Sequence, residues 1–256
     1  MSAMYPAAEP DRMTQAGAGL CRVLVSVFAY NEGEKIHATL ERFPVKSYCD
    51  VLIVDDGSTD GSLSSEQDRG FTILRNVHNE GLGASIKKSF QYALENDYDV
   101  IVIMAGNGKD DPSEIGRLLD PILTDECDFV QGSRFLPGGH HGNMPFYRLI
   151  ATKYVHPILF SILSGTRVTE STNGFRALRT SLLRDTRINW EQGWLNQYEL
   201  EQYLHFQAVR FGYRRKEVPV SKVYPAERRG YTKVKAFSGW WSMIKPVIYL
   251  ALGIKR

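Results

Sequence analysis

Acidic and amide side chains follow apolar runs in the first half of this 256-residue chain. Ala29-Tyr30-Asn31-Glu32 follows the run at 23–28, and Asp55-Asp56-Gly57-Ser58-Thr59-Asp60-Gly61 follows the run at 51–54. A third loop, Ala105-Gly106-Asn107, follows the run at 100–104. Short apolar runs of this kind read as buried strands, and open α/β sheets bind ligands outside the carboxyl ends of their strands. Carboxylates there can accept hydrogen bonds from a base and its ribose. The first half therefore reads as a nucleotide-handling unit whose third loop is unusual. Turn chemistry alone also accounts for the run from Asp56 to Gly61, and Asn31-Glu32 also suits a helix N-cap with a first-turn acid. Asn79-Glu80-Gly81-Leu82-Gly83 opens a helical pattern, with Lys87 and Lys88 a turn later. Glycine permits close backbone approach, and a helix N-terminus favours anions. A plain glycine turn before an amphipathic helix is the alternative. Lys109 puts a cation beside the third loop, where it could neutralise phosphate charge.

Placing these loops side by side takes alternating strands and helices. The sequence predicts strands at 22–28, 51–55, 71–75, 99–104 and 128–131, with helices at 32–43, 83–95 and 112–124. Leu82, Ile86, Phe90 and Leu94 recur every four residues, the spacing of a buried stripe. Pro112 suits a first-turn position after the cap candidates Asp110 and Asp111. Such alternation predicts an α/β fold, a mostly parallel Rossmann-like sheet with helices on both faces. Beyond residue 132 come a glycine-rich loop at 137–142, a long helix at 145–164, a short segment at 172–177, helices at 179–185 and 197–211, and a strand at 214–220. A basic loop at 224–233 and a final helix complete the pattern. One domain over 21–256 is expected: a nucleotide-binding half at 21–131, an acceptor-side half at 132–233 that covers the strand ends, and an amphipathic helix at 234–256. Residues 1–20 read as a flexible lead-in without the apolar core of a signal peptide.

Bulk properties exclude some classes. A net charge of +2 gives no reason to expect nucleic acid as a partner. The three cysteines, Cys21, Cys49 and Cys127, are scattered without metal-ligand spacing and read as reduced thiols of a cytosolic protein. No stretch reaches the ~20 apolar residues needed to span a bilayer.

Taken in order, several motifs resemble family 2 glycosyltransferases, in particular the dolichyl-phosphate mannosyltransferase-like branch. They are Ala29-Tyr30-Asn31-Glu32, Asp55-Asp56-Gly57-Ser58-Thr59-Asp60-Gly61, Asn79-Glu80-Gly81-Leu82-Gly83, Asp111-Pro112, Gly132-Ser133-Arg134, Thr172-Asn173-Gly174-Phe175-Arg176 and Gly230-Tyr231-Thr232-Lys233. The likeness spans about residues 22–250. It implies a GT-A fold and inverting sugar transfer from a nucleoside-diphosphate sugar to a polyprenyl phosphate or a lipid-linked glycan. It assigns Ala29, Tyr30, Asn31, Glu32, Asp55, Asp56, Gly81, Gly83, Lys88, Gly106 and Asn107 to the donor nucleotide. Arg134, Thr172, Asn173 and Arg176 fall to the acceptor or its phosphate. Glu199 matches the family's acidic residue on the acceptor side, where a hydroxyl acceptor would need a base. A first-turn acid of the helix at 197–211 is its plainer reading. Arg228, Arg229 and Lys233 match a loop that closes over the diphosphate, and a solvated basic loop is the alternative.

The chain departs from this family at one point. The family's third loop usually holds two aspartates, one residue apart, that bind a divalent metal. Aligned on Asp111-Pro112, Ala105 and Asn107 stand there instead. Mg2+ or Mn2+ favours carboxylate oxygens, and Asn107 offers one neutral oxygen. Metal held through Asn107 and water, Lys109 in place of the metal, and a sugar-nucleotide-binding module without turnover all stay open. So does transfer to a soluble or protein-bound acceptor with Glu199 as base. The final helix carries Trp240, Trp241, Met243, Ile244, Val247, Ile248 and Leu250 among Lys235, Lys245, Lys255 and Arg256. Tryptophan and lysine beside an aliphatic face suit the cytosolic surface of a membrane. Packing on the protein or on a second subunit suits them equally, and the helix at 145–164 shares that ambiguity.

Overall fold

A computed structural model describes residues 21–43, 49–64, 69–224 and 238–255. The expected lead-in at 1–20 and most of the basic loop lie outside them. Seven strands form one sheet in the order β3-β2-β1-β4-β6-β5-β7. They are β1 (Val23–Ala29), β2 (Asp50–Asp55), β3 (Thr72–Arg75), β4 (Val100–Ala105), β5 (Phe129–Ser133), β6 (Arg176–Arg179) and β7 (Arg215–Pro219). Neighbouring pairs are parallel except at β6, which runs antiparallel to both β4 and β5. The expected mostly parallel sheet is therefore present, with one reversed strand.

The helices follow the apolar pattern. They are α1 (Glu34–Leu40), α2 (Leu82–Glu95), α3 (Ile115–Leu123), α4 (Phe146–Ile150), α5 (His156–Ser164), α6 (Thr180–Arg184), α7 (Glu199–Arg210) and α8 (Ser238–Ala251). All seven β1 residues are buried, as a central parallel strand requires, so its side chains alternate between two cores. Leu24 and Phe28 face Ile86 and Phe90 of α2 and Tyr203 and Leu204 of α7. Val23, Val25 and Val27 face Ile36 and Leu40 of α1 and Leu118, Leu119 and Ile122 of α3. The predicted helical stripe is half correct. Ile86 and Phe90 are fully buried, while Leu82 and Leu94 pack at the margin.

Two local expectations change. Asn31 does not cap a helix: it has φ 46°, and α1 starts three residues later after Gly33. Asp111 does act as a cap, its side chain accepting from Ser113 N at 3.0 Å ahead of Pro112. The long helix at 145–164 is continuous but contains a wider π turn over Ala151–Val155 between α4 and α5.

Candidate active site

The ends of β1 and β2 are laced together by the residues that the sequence singles out. Asn31 N–H donates to Ser58 Oγ at 2.9 Å, and Thr59 N–H donates to Asn31 Oδ1 at 2.8 Å. The Asn31 side chain thus joins the first loop to the second, which explains its positive φ better than a cap would. Asp55 is buried, accepting from Ser58 N at 2.8 Å and from Arg75 Nε at 2.8 Å. Its carboxylate holds the turn and does not line the cleft described below. Asp56 does line it, yet its oxygens take four protein donors: Asn76 Nδ2, Asn79 Nδ2, and the N–H groups of Glu80 and Gly81. Asp56 therefore fixes the turn that starts α2.

The anion-binding expectation for that turn fails for a packing reason. A Cβ on Gly83 would meet Leu195 O at 2.1 Å, and one on Gly81 would meet Asn196 O at 2.5 Å. The segment at 195–197 lies across the start of α2, and Ala84 N–H donates to Asn196 O at 3.1 Å. These glycines admit a neighbouring loop, and Gly83 is not in the cleft wall. Lys88 is turned away too, its Nζ bonded to Asn76 Oδ1 at 2.6 Å and Glu80 Oε1 at 2.9 Å.

The third loop is built to present Lys109. Gly106 N–H donates to Phe28 O at 2.8 Å, and its α-carbon backs onto Ile36, so Gly106 supports the loop from behind the cleft. Gly108 takes φ 76°, a conformation glycine adopts readily, and turns the chain so that Lys109 faces Tyr224. Lys109 Nζ lies 4.9 Å from the Tyr224 ring centroid, and Arg148 Cζ lies 5.7 Å from the same ring. Lys222 pairs with the fully buried Asp110, and Val223 N–H donates to Lys109 O at 3.0 Å. Burial, and then the positive charges of Lys222 and Arg148, push the Lys109 ammonium down to about 8. It still keeps its proton at neutral pH.

The second half of the chain supplies the opposite wall. Arg134 makes two bonds to Glu170, at 2.7 and 2.8 Å, and a third to Thr172 Oγ1 at 3.1 Å. Arg134 and Thr172 line the cleft, as expected of acceptor residues, although the guanidinium is already engaged by a buried carboxylate. Arg176 and Asn173 are fully buried and do not reach the cleft. Arg176 donates to Glu201 O and Asn173 O, both at 2.7 Å, and Asn173 Nδ2 donates to Gly132 O at 3.1 Å. Their expected phosphate role gives way to holding β5, β6 and α7 together. Glu199 lines the cleft, with Oε1 2.6 Å from Lys245 Nζ of α8 and Oε2 accepting from Gln197 N at 3.1 Å.

Together these walls enclose one cleft of about 1020 Å³, within the range of small-molecule sites. The expected residues that it gathers are Ala29, Tyr30, Asn31, Glu32, Asp56, Gly81, Asn107, Lys109, Arg134, Thr172 and Glu199. Asp55, Gly83, Lys88, Gly106, Asn173 and Arg176 stand outside it. Arg228, Arg229 and Lys233 lie outside the described residues. The cleft also contains residues without an expected site role: Lys35, Arg148, Glu201, Gln202, Lys222 and Tyr224, with Lys245 and both tryptophans of α8. Lys245 stood out only as part of the final helix, and Lys222 and Arg148 carried no motif signal, because chain reversals between distant segments bring them in.

The donor set does not suit a divalent cation. Ala105 ends in a methyl group, and Asn107 Oδ1 accepts from Lys109 N at 3.3 Å. Asp110, the nearest loop carboxylate, is spent on Lys222 and on Ala105 N. Among the described residues no group of three or more His, Cys, Asp or Glu side chains is placed to hold a metal ion.

Comparison with known proteins agrees with this geometry. Residues 25–193 match the family model "Glycosyl transferase family 2". An undecaprenyl-phosphate mannosyltransferase of Micrococcus luteus is 33% identical over 208 residues, covering 79% of this chain and 84% of that protein. A polyprenol monophosphomannose synthase of Mycolicibacterium smegmatis is 31% identical over 211 residues, covering 78% and 77%. A solved glucosyl-3-phosphoglycerate synthase of Mycobacterium tuberculosis, in complex with Mn2+, UDP and glucosyl-3-phosphoglycerate, shares the fold. Its TM-score is 0.71 at 16% identity, over 100% of this chain and 88% of that one. A sheet whose strand ends hold this polar cleft, and a motif order matched over most of the chain, make the protein a nucleotide-sugar-dependent transferase that belongs to glycosyltransferase family 2.

Proposed function

We propose that the chain transfers a sugar, with inversion, from a nucleoside-diphosphate sugar to a polyprenyl phosphate at a membrane surface. The observation that carries this is the pair of relatives above 30% identity, both named for polyprenyl-phosphate mannose transfer. Two features of the cleft support it. Lys109 and Arg148 gather at the Tyr224 ring with Lys222 nearby, and such cations suit phosphate. Trp240, Trp241 and Met243 of α8 also line the cleft, and they suit an apolar chain.

The chemistry asks little of a base. A phosphate oxygen of the acceptor attacks the anomeric carbon from the face opposite the diphosphate. The bond from that carbon to the diphosphate oxygen breaks, and the nucleoside diphosphate leaves with the electron pair. Nucleophile and leaving group are both ionised, so no proton needs to move. Glu199, held by Lys245, then orients the sugar or the acceptor. Positioning and fixed charge supply most of the acceleration. Asn31, Glu32 and Asp56 form the donor side, and Arg134 with Thr172 forms the acceptor side.

The reading also includes the surface beside the cleft. Phe146, Ile150, Tyr154, Ile158 and Ile162 recur every fourth residue along α4 and α5, and all are exposed. With Trp241 of α8 they form an apolar margin where a lipid-linked acceptor would arrive. Among the described residues no helix is long and apolar enough to cross a membrane.

The test is transfer by the full chain from GDP- and UDP-sugars to undecaprenyl phosphate in detergent. A lipid-linked monosaccharide of inverted anomeric configuration is expected. Transfer only to water-soluble hydroxyl acceptors would remove the polyprenyl phosphate from this reading. Nucleotide binding without turnover on any acceptor would leave a binding module.

A further inference from the structure

We propose that fixed cations, Lys109, Arg148 and Lys222, neutralise the donor's diphosphate in this chain and that no divalent metal takes part. This rests on the reading of the cleft as a sugar-nucleotide site and deepens it. Three observations lead here.

The first is what the β4 loop lacks. A hard cation such as Mg2+ or Mn2+ is held by oxygen ligands, carboxylates above all. The loop offers a methyl group at Ala105 and a single amide oxygen at Asn107. Asp110, its one inward carboxylate, is fully buried and already engaged by Lys222 and by Ala105 N–H at 3.3 Å. Freeing Asp110 for a metal would strand Lys222 in a site where its side chain is only 12% exposed. An unpaired buried charge is costly.

The second is what stands there instead. Lys109 and Arg148 approach the same Tyr224 ring, and the bridge between Asp110 and Lys222 sets Lys222 beside Lys109. Burial first, and then both neighbouring cations, make the Lys109 ammonium harder to keep charged, an effect that Asp110 and Glu32 only partly offset. Like charges gathered in a half-desolvated cleft repel, and adding a dication would worsen that repulsion. A polyanion placed among them is attracted by each of these three cations. A diphosphate ester is the polyanion that a sugar-nucleotide donor brings.

The third is rigidity. Lys109 sits between the Gly108 turn and the bond from Val223 N–H to Lys109 O. Lys222 is fixed by Asp110, and Tyr224 N–H donates to Gly142 O at 2.9 Å. Charge held in place before the reaction stabilises a leaving group without further reorganisation. When the bond to the anomeric carbon breaks, the electron pair moves onto the diphosphate oxygen next to these cations.

The experiment uses the full chain and two readouts: calorimetric binding of GDP and UDP, and sugar transfer to undecaprenyl phosphate. Each is run with EDTA and with added MnCl2. Binding and transfer are expected to be the same, within about threefold, in both conditions. Lys109→Met is expected to lower turnover by roughly 10²–10³-fold, the scale set by removing one preorganised contact. Lys109→Arg, which keeps the charge, should recover a part of that, and circular dichroism of both variants checks the fold. Transfer that disappears in EDTA and returns with Mn2+ overturns the proposal while leaving the transferase reading intact. A Lys109→Met variant that folds and works at the normal rate overturns it as well. If neither nucleotide binds under any condition, the reading of the cleft fails, and this proposal with it.

Discussion

Both carboxylate oxygens of Glu199 already hold a donor, Lys245 Nζ at 2.6 Å on Oε1 and Gln197 N–H at 3.1 Å on Oε2. An acceptor that arrives as an ionised phosphate does not need a base. Glu199→Gln should therefore keep kcat for polyprenyl phosphate within about tenfold of wild type, whereas losing a working general base costs ~10²–10⁴-fold. A loss in the second range, with donor binding unchanged, would mean that Glu199 takes a proton. At this scale the sequence was an uneven guide. Asn31, Asp56, Lys109 and Thr172, each of which follows a strand or a motif directly, do line the cleft. The sequence misjudged Lys88, Asn173 and Arg176 because polar side chains near a site look alike in sequence whether they face ligand or backbone carbonyls. Arg176 is the clearest case: a fully buried guanidinium bonded to Glu201 O and Asn173 O could be told apart from a phosphate ligand only by its surroundings.

Elements meet at two places where a small change has a calculable outcome. At the first, the segment at 195–197 crosses the start of α2 so closely that Gly83 has no room for a side chain. Gly83→Ala should destabilise the protein by about 1–3 kcal/mol, the usual scale of overpacking, seen as a lower Tm. A neutral result would mean that the loop yields freely. At the second, His205 of α7 stacks on Phe129 of β5 with ring centroids 5.1 Å apart. Burial first, and then Arg176, Arg215 and His156, hold its pKa well below the ordinary histidine value. His156 is also depressed, by burial, between Ser171 Oγ at 2.7 Å and Met243 O at 3.2 Å. Both rings are neutral in the fold but gain protons near pH 6.5 when unfolded. The unfolded state then binds more protons, so stability falls as pH drops below 6.5, by up to about 1.4 kcal/mol per pH unit per ring. His205→Gln should flatten the fall in Tm between pH 7 and 5, and an unchanged slope would contradict this. The strands and helices themselves were legible, since their apolar periods are local. The reversal of β6 was not, because Arg176–Arg179 is too short to carry a direction signal. Nor was the covering of the α2 N-terminus, which depends on residues more than a hundred positions away.

For the whole molecule, the helix that bears the exposed apolar row is tied to a wall of the cleft. His156 of α5 bonds to Met243 O of α8, so the helix bearing the exposed stripe is fastened to the helix that walls the cleft. Phe146 is 76% exposed, Ile158 55%, Ile162 72% and Trp241 50%. Scattered apolar residues on a surface need no explanation, but a periodic row of them beside a binding site does. Lys153 stands beside this row, with Nζ 5.5 Å from the Tyr154 ring centroid. Aromatic rings with a lysine beside an aliphatic row match the boundary between headgroups and acyl chains. If the acceptor is the polyprenyl phosphate proposed above, with its tail in the bilayer, the cleft mouth would have to lie at the membrane surface. Ile158→Glu with Ile162→Glu should abolish cosedimentation with vesicles containing anionic lipid and sharply lower transfer to undecaprenyl phosphate embedded in them. Neither residue lines the cleft, so transfer to a short-chain polyprenyl phosphate in solution should stay within about twofold, since surface substitutions away from the site usually shift free energies by less than ~0.5 kcal/mol. Retained vesicle binding, with a change from dimer to monomer in sedimentation, would instead assign the row to a second copy of the chain.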